Sequence, residues 1–228
     1  MDRVNFKKRK TVHGIAINDA DYEVHQRIEG GTLTCPIYSM WYSMVTRCLS
    51  GSGRARIIRP NVSDKWLKFS NFNIWFLKSY KVYSDMTLDK DILGDGNLYS
   101  PENCTVIPNK VNLIVRSYNT FKKSELPLGV YFNKRLSSYV ARCTHEGNSG
   151  KFYYFDTPEE AHYKYLGLKS DSIKLSVDSW KMEETYIDSV GDKLLRLSGI
   201  LHKCSQSEIE IKELVDVLHS SSFRALWK

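Results

Sequence analysis

The stretch "DTPEEAHYKYLGLK", which begins at Asp156, pins the start of a helix. Thr157 stands three residues ahead of Glu160, so each side chain can satisfy the other's backbone N–H. Pro158 fills the first helical position, where no N–H is needed. Ala161, Tyr165 and Leu168 then share one face. Upstream lie three short runs of alternating character, "LGVYF", "SSYVARC" and "KFYYF". The helix face and the strands can cover one another, so residues 126–170 are predicted as a three-stranded sheet plus a helix.

Two aromatic stripes precede this module. "CPIYSMWYSMVTRCLS" sets Ile37, Met40, Trp41, Met44, Val45 and Cys48 at helical spacing, with Pro36 in the first turn. "WLKFSNFNIWFLKSY" carries Trp66, Phe69, Phe72, Trp75 and Phe76 in the same way, so 66–80 also reads as a helix that packs. Between them "SGSGRARIIRP" breaks the first helix and gathers Arg54, Arg56 and Arg59, which are candidate phosphate contacts. Residues 22–34 are polar, contain Gly30-Gly31 and read as a loop.

Residues 86–119 have a different grammar. "MTLDKDIL" is short and strand-permissive, "GDGNLYSPEN" is turn chemistry throughout, and "CTVIP" reads as a second strand. "NKVNLIVRSYN" places Val111, Ile114, Val115 and Tyr118 on one helical face after the start signal Pro108-Asn109. The expected order is strand, ordered loop, strand, helix. Such a unit can hold one divalent ion between its first strand and its helix.

This segment resembles the ββα-metal core of HNH endonucleases, especially the phage homing-endonuclease-like branch whose last motif residue is Asn. The resemblance implies an acidic metal ligand on the first strand beside a general-base His, a loop Asn that orients the base, and a helix residue that completes the metal site. Asn103 in "SPENC" matches the loop Asn, and Asn112 in "NKVN" matches the helix ligand. Twelve residues before Asn103 stands Asp91, where the base is expected; with one inserted loop residue, Lys90 takes that place and Asp89 is the ligand. Under either alignment "DKD" replaces an Asp-His-type pair. The chemistry needs an activated water and a cation to stabilise charge on the phosphate. Hard oxygen donors from Asp89, Asp91 and Asn112 suit Mg2+ or Mn2+. An imidazole near pKa 6.5 is a better base at neutrality than an ordinary carboxylate near 4, so Asp91 would need burial to serve. Alternatively Lys90 pairs with the aspartates and only holds the hairpin.

The downstream module resembles the plant ethylene-response-factor DNA-binding domain, which phages also carry fused to HNH nucleases. The matching pieces are "GV", "YVARC" and "YYFDTPEEAHYKYLGLK". The resemblance implies a sheet that enters the major groove, with Lys134, Arg135, Tyr139 and Arg142 on the sheet or its turn. Tyr131 and Asn133 stand where that family usually carries arginines, so base specificity does not transfer. Guanidinium groups on such a hairpin serve both phosphates and guanine edges.

The net charge of +7 and pI of about 9.0 favour a polyanionic partner. The basic opening "MDRVNFKKRK" supplies Lys7, Lys8, Arg9 and Lys10 as an arm for phosphates, and Arg116 is a further candidate. Five scattered cysteines form no C-x-x-C pair, which signals neither a disulfide framework nor a zinc knuckle. Cys143 and His145 lack a second ligand pair. No apolar run approaches the roughly 20 residues of a membrane span, and the start of the chain shows no secretory pattern. A soluble, reduced, intracellular protein in the host cytoplasm is expected.

At the C-terminal end Ile187, Val190, Leu194, Leu197 and Leu201 form one helical seam, and Ile209, Ile211, Leu214, Val215 and Leu218 another. The expected architecture is α+β: a basic arm and loop (1–34), a helical aromatic-rich region (35–80), a degenerate HNH-like core (81–120), the sheet-plus-helix DNA-binding module (126–170) and C-terminal helices (171–228). The expected function is metal-dependent hydrolysis of double-stranded DNA by a phage or mobile-element nuclease. Its alternatives are an inactive DNA-binding repressor or site competitor, and an inhibitor of an acidic host protein.

Overall fold

The fold is described from a computed structural model, over residues 11–50, 60–81, 84–94, 96–119, 126–143 and 150–206. It is a mixed α+β chain with five α-helices and small, mostly antiparallel sheets among the described residues. The chain divides into two compact units, 1–107 and 108–228. No described helix is long and apolar enough to cross a membrane.

The first unit opens with two hairpins. β1 (Thr11–Val12) pairs with β2 (Ala16–Ile17), and β3 (His25–Ile28) with β4 (Gly31–Thr34). Residues 25–34 are therefore a β-ribbon and not the loop read from their polarity. Both strands of the ribbon are solvated, so the apolar alternation that marks a half-buried strand has no reason to be present. Glu29 and Gly30 form its two-residue turn, with Gly30 at φ +87°.

α1 (Pro36–Leu49) begins at the proline, as predicted, and buries Ile37, Tyr38, Trp41, Met44 and Val45. β5 (Asn61–Val62) follows, then a 3-10 turn at Asp64–Leu67 and α2 (Phe69–Ser79). The second aromatic stripe is thus not one helix. Lys68 is extended and bridges to Ile17, and Trp66 enters the core from the tight turn ahead of α2. Trp41 donates its indole N–H to the Trp66 carbonyl at 2.7 Å, and the Phe69 ring packs against both Tyr38 and Trp41. Lys68 cannot cap α2; the Asp19 carboxylate does so, accepting from Ser70 N and Ser70 Oγ at 2.8 and 2.7 Å. β6 (Met86–Asp89) pairs with β8 (Thr105–Pro108), whereas β7 (Leu98–Tyr99) pairs in parallel with β5. The turn-rich stretch before Asn103 therefore contains a short strand that its composition conceals.

α3 (Asn109–Asn119) opens the second unit directly after β8. The strand, loop, strand, helix order read for 86–119 is observed with one addition, the short strand β7 inside the loop. β9 (Val130–Asn133), β10 (Ser138–Ala141) and β11 (Tyr153–Phe155) form an antiparallel meander, covered on one face by α4 (Pro158–Trp180). Thr157 accepts from Glu160 N, the expected helix cap, but the Glu160 carboxylate accepts from the Thr157 hydroxyl and not from its backbone N–H, so only half of the reciprocal box forms. Gly129, at φ +77°, leaves the place of a Cβ to the Tyr165 ring, whose atoms lie 2.1 Å from that point. Ala161 and Tyr165 are buried, while Leu168 is only partly covered.

α4 does not stop near residue 170 but runs to Trp180, and α5 (Asp188–Gln206) folds back along it. Val190, Leu194, Leu197 and Leu201 form the predicted seam, while Ile187 stands just before the helix and is only partly buried. Between the helices Ser170 Oγ donates to the Ser198 carbonyl at 2.8 Å, and Ser198 Oγ to the Ser170 carbonyl at 2.9 Å. The second C-terminal seam, from Ile209 onward, lies outside the described residues.

Asp19→Ala removes both acceptors from the start of α2. It is expected to lower the unfolding free energy by about 1–2 kcal/mol in urea titrations. Stability equal to wild type would mean that the helix start is satisfied by water.

Candidate functional site

In the first unit the chain leaves β6 through a loop that gathers four of the residues singled out from sequence. Asp89 is 4% exposed. Its Oδ1 accepts from Asp91 N at 2.9 Å and Ile92 N at 2.8 Å, so the carboxylate folds the backbone back on itself. Lys90 Nζ donates to Asp91 Oδ1 at 2.8 Å and lies 5.6 Å from the centre of the Tyr99 ring. Asn103 closes the other end: its backbone N–H donates to Ser100 and its Nδ2 to the Leu98 carbonyl at 3.4 Å. The loop needs its glycine at 96, since φ is +77° and a Cβ there would stand 2.5 Å from Asp91 Oδ1.

Burial falls on Asp89 and not on Asp91, whose side chain is 30% exposed. Desolvation pushes the Asp89 carboxyl up to about 6, against the pull of its two backbone N–H bonds. A carboxyl titrating there is far better matched to accepting a proton near neutrality than an ordinary aspartate. Among the described residues no group of three or more His, Cys, Asp or Glu converges as a ready-made metal cage. Mg2+ does not require one, because it keeps waters and binds through one or two carboxylates plus substrate phosphates. Asp89 and Asp91 fit that donor chemistry, with Lys90 competing for Asp91.

Sequence reading missed two members of this neighbourhood. Tyr99 is buried at the end of β7, its hydroxyl pushed up to about 12 by desolvation, and Arg47 of α1 donates to it. Arg47 stands at the last turn of α1, where the helical stripe gave a reason to note Cys48 but none to look across the chain. No local signal connects Arg47 to a residue 52 positions away.

Asn112 lies in the second unit, near the start of α3, and is 8% exposed. In the sheet, the register sets Tyr131, Val140 and Tyr154 side by side on one face, and Val130, Ala141 and Tyr153 on the other. The second set faces α4, since Lys164 of that helix lies 4.5 Å from the Tyr153 ring centre. Tyr139 pairs with Phe132 and Phe155 on this helix side, its ring tilted against that of Phe132 with centres 5.0 Å apart. It does not share the outer face with Tyr131 and Tyr154. Lys134 and Arg135 are exposed on the turn. Arg142 is exposed just past β10, its guanidinium 4.8 Å from the Phe152 ring centre. Asn133 is occupied, accepting from the N–H groups of Arg135 and Leu136. Lys7, Lys8, Arg9, Lys10, Arg54, Arg56, Arg59 and the side chain of Arg116 lie outside the described residues, as does His145.

The native Asp89 carboxyl holds its proton up to about pH 6, while an unfolded one releases it near 3.8. Between those values the native state binds more protons, so stability falls as pH rises through this window. Asp89→Asn keeps an acceptor for the two N–H groups and removes that slope. Its unfolding free energy at pH 8 is expected to exceed wild type by roughly 1–3 kcal/mol in chemical denaturation; a variant less stable than wild type at pH 8 contradicts the burial argument. Comparison with family models, curated proteins and solved structures finds no match for this chain.

Proposed function

We propose that the chain is a metal-dependent DNA endonuclease of the phage HNH type, from a phage or mobile element. In this reading it holds double-stranded DNA on the β9–β10–β11 sheet and hydrolyses a phosphodiester beside the Asp89–Asn103 loop. The observation that carries the reading is the loop itself. Of the four residues that the resemblance selects, Asp89, Lys90 and Asp91 share one turn at the end of a strand paired with β8, and Asn103, on the return of the same loop, lies against Gly94 beside the Lys90 carbonyl.

The loss of the usual histidine is answered by burial. Asp89, with its carboxyl near 6, takes the proton from the attacking water, a task that sequence assigned to Asp91 or Lys90. Lys90 places a cation next to the developing negative charge. Asn103 fixes the loop backbone, and Asp91 offers a carboxylate oxygen to a hard cation. Mg2+ or Mn2+, when bound, supplies Lewis-acid stabilisation of the phosphate. Asn112 takes its part, a helix-borne amide carbonyl, from the resemblance alone. Lys134, Arg135 and Arg142 meet phosphates, while Tyr131 and Tyr154 add amphipathic contacts on the outer face.

A second reading, a DNA-binding protein that no longer cuts, is favoured by the Lys90–Asp91 ion pair. That pair satisfies internally the carboxylate that a cation would otherwise take.

Supercoiled plasmid incubated with Mg2+ or Mn2+ is expected to be nicked or linearised by the wild type, with cleavage reduced at least about 100-fold in Asp89→Asn and Asn112→Ala. Tight duplex binding without cutting replaces the enzyme by the repressor or competitor. No binding even at low salt, where phosphate contacts are strongest, leaves an acidic protein as the partner.

A further inference from the structure

The first unit contains a cleft of about 570 Å³ between α1 and the approach to β6, and the Asp89 loop does not account for it. One stripe of α1, made by Ser39, Ser43 and Arg47, forms its polar wall, while Met44 and Leu88 contribute apolar surface. These three polar positions recur every four residues, so they span about 12 Å along the helix. That length exceeds a single phosphate group and suits a stretch of polymer. Thr87 and the buried Tyr99 line it as well.

Arg47 sets the chemistry. Its guanidinium donates to the Tyr99 hydroxyl and lies 6.0 Å from the centre of that ring. Among the described residues it makes no ion pair, so a neutral phenol holds the group in place without spending its charge. Asp85 is the one carboxylate among the lining residues, and no ion pair joins it to Arg47. A guanidinium fixed by one N–H retains further N–H donors for planar, two-point recognition of phosphate oxygens. Tyr99 also connects the cleft with the acidic loop, since Lys90 lies over the same ring.

We infer that this cleft seats a segment of a DNA strand, with Arg47 as the contact to one of its phosphates. The inference rests on the DNA-binding reading above and adds a contact that lies outside both the acidic loop and the sheet. The serine hydroxyls donate to neighbouring backbone oxygens, and the apolar floor meets sugar or base.

The test is the salt dependence of binding, read by fluorescence anisotropy of a labelled duplex over a KCl series. Loss of one phosphate contact lowers the slope of log K against log salt by about 0.9. Arg47→Ala is expected to show that drop and roughly 5–10-fold weaker binding near 0.1 M salt. Arg47→Lys should keep the slope. Ser43→Asp, which places a carboxylate on the cleft wall, should weaken binding well beyond Ser79→Asp, an equal charge change at an exposed site outside the cleft. The serine pair decides the matter even if Arg47→Ala does not fold. An unchanged slope in a folded Arg47→Ala, or equal effects of the two serine variants, overturns the inference while leaving DNA binding intact. A wild type that fails to bind at about 20 mM salt sinks the DNA reading, and this contact with it.

Discussion

A buried carboxylate at the end of a strand is an expensive thing to keep, and the first unit keeps one. Asp89 is almost wholly removed from water, yet its Oδ1 is the acceptor that two successive backbone N–H groups need. Those two bonds turn the chain, and the turn sets Lys90 and Asp91 at its rim. Lys90 then reaches Tyr99, which in turn is held by Arg47. The same desolvation that makes Asp89 costly raises its proton affinity toward neutrality. Structure and candidate chemistry thus draw on one group. A solvated aspartate would neither turn the chain so tightly nor titrate usefully.

Much of the fold was legible from local rules. The cap at Thr157 and Glu160, the proline at the start of α1, the three alternating runs and the order through 86–119 all follow from interactions between near neighbours. What could not be read depends on partners far along the chain. Lys68 breaks the second aromatic stripe because it pairs with Ile17, and α2 is capped by Asp19. β7 exists only because β5 lies beside it. In α4, buried Ser170 looks like the polar end of a helix until α5 is present to receive it, while Ser172 and Lys169 face Cys143 beyond β10.

The site divides in the same way. The acidic triplet and Asn103 were visible as types at a spacing, but which aspartate is buried was not, since burial is set by how the turn folds back and not by position in the triplet. On the sheet, parity along β10 separates Tyr139 from Arg142: one shares the helix side with Ala141, the other follows the outer face. The outer surface is consequently more aromatic than a reading based on arginines suggests, with half-exposed Tyr131 and Tyr154 flanking a buried Val140. If this surface meets DNA, most of its contacts are with the backbone, because Asn133 is already engaged by its own turn.

The crossed serines of α4 and α5 have a further consequence. Each hydroxyl donates to the other's main-chain carbonyl, so the two residues must sit level to within a fraction of an ångström. Sliding one helix by a single turn, about 5.4 Å, would strand both hydroxyls in an apolar layer. Leucine seams tolerate such slippage because one methyl group resembles the next. The paired hydroxyls act as a vernier on the helical hairpin, choosing one alignment out of several that greasy packing alone would accept.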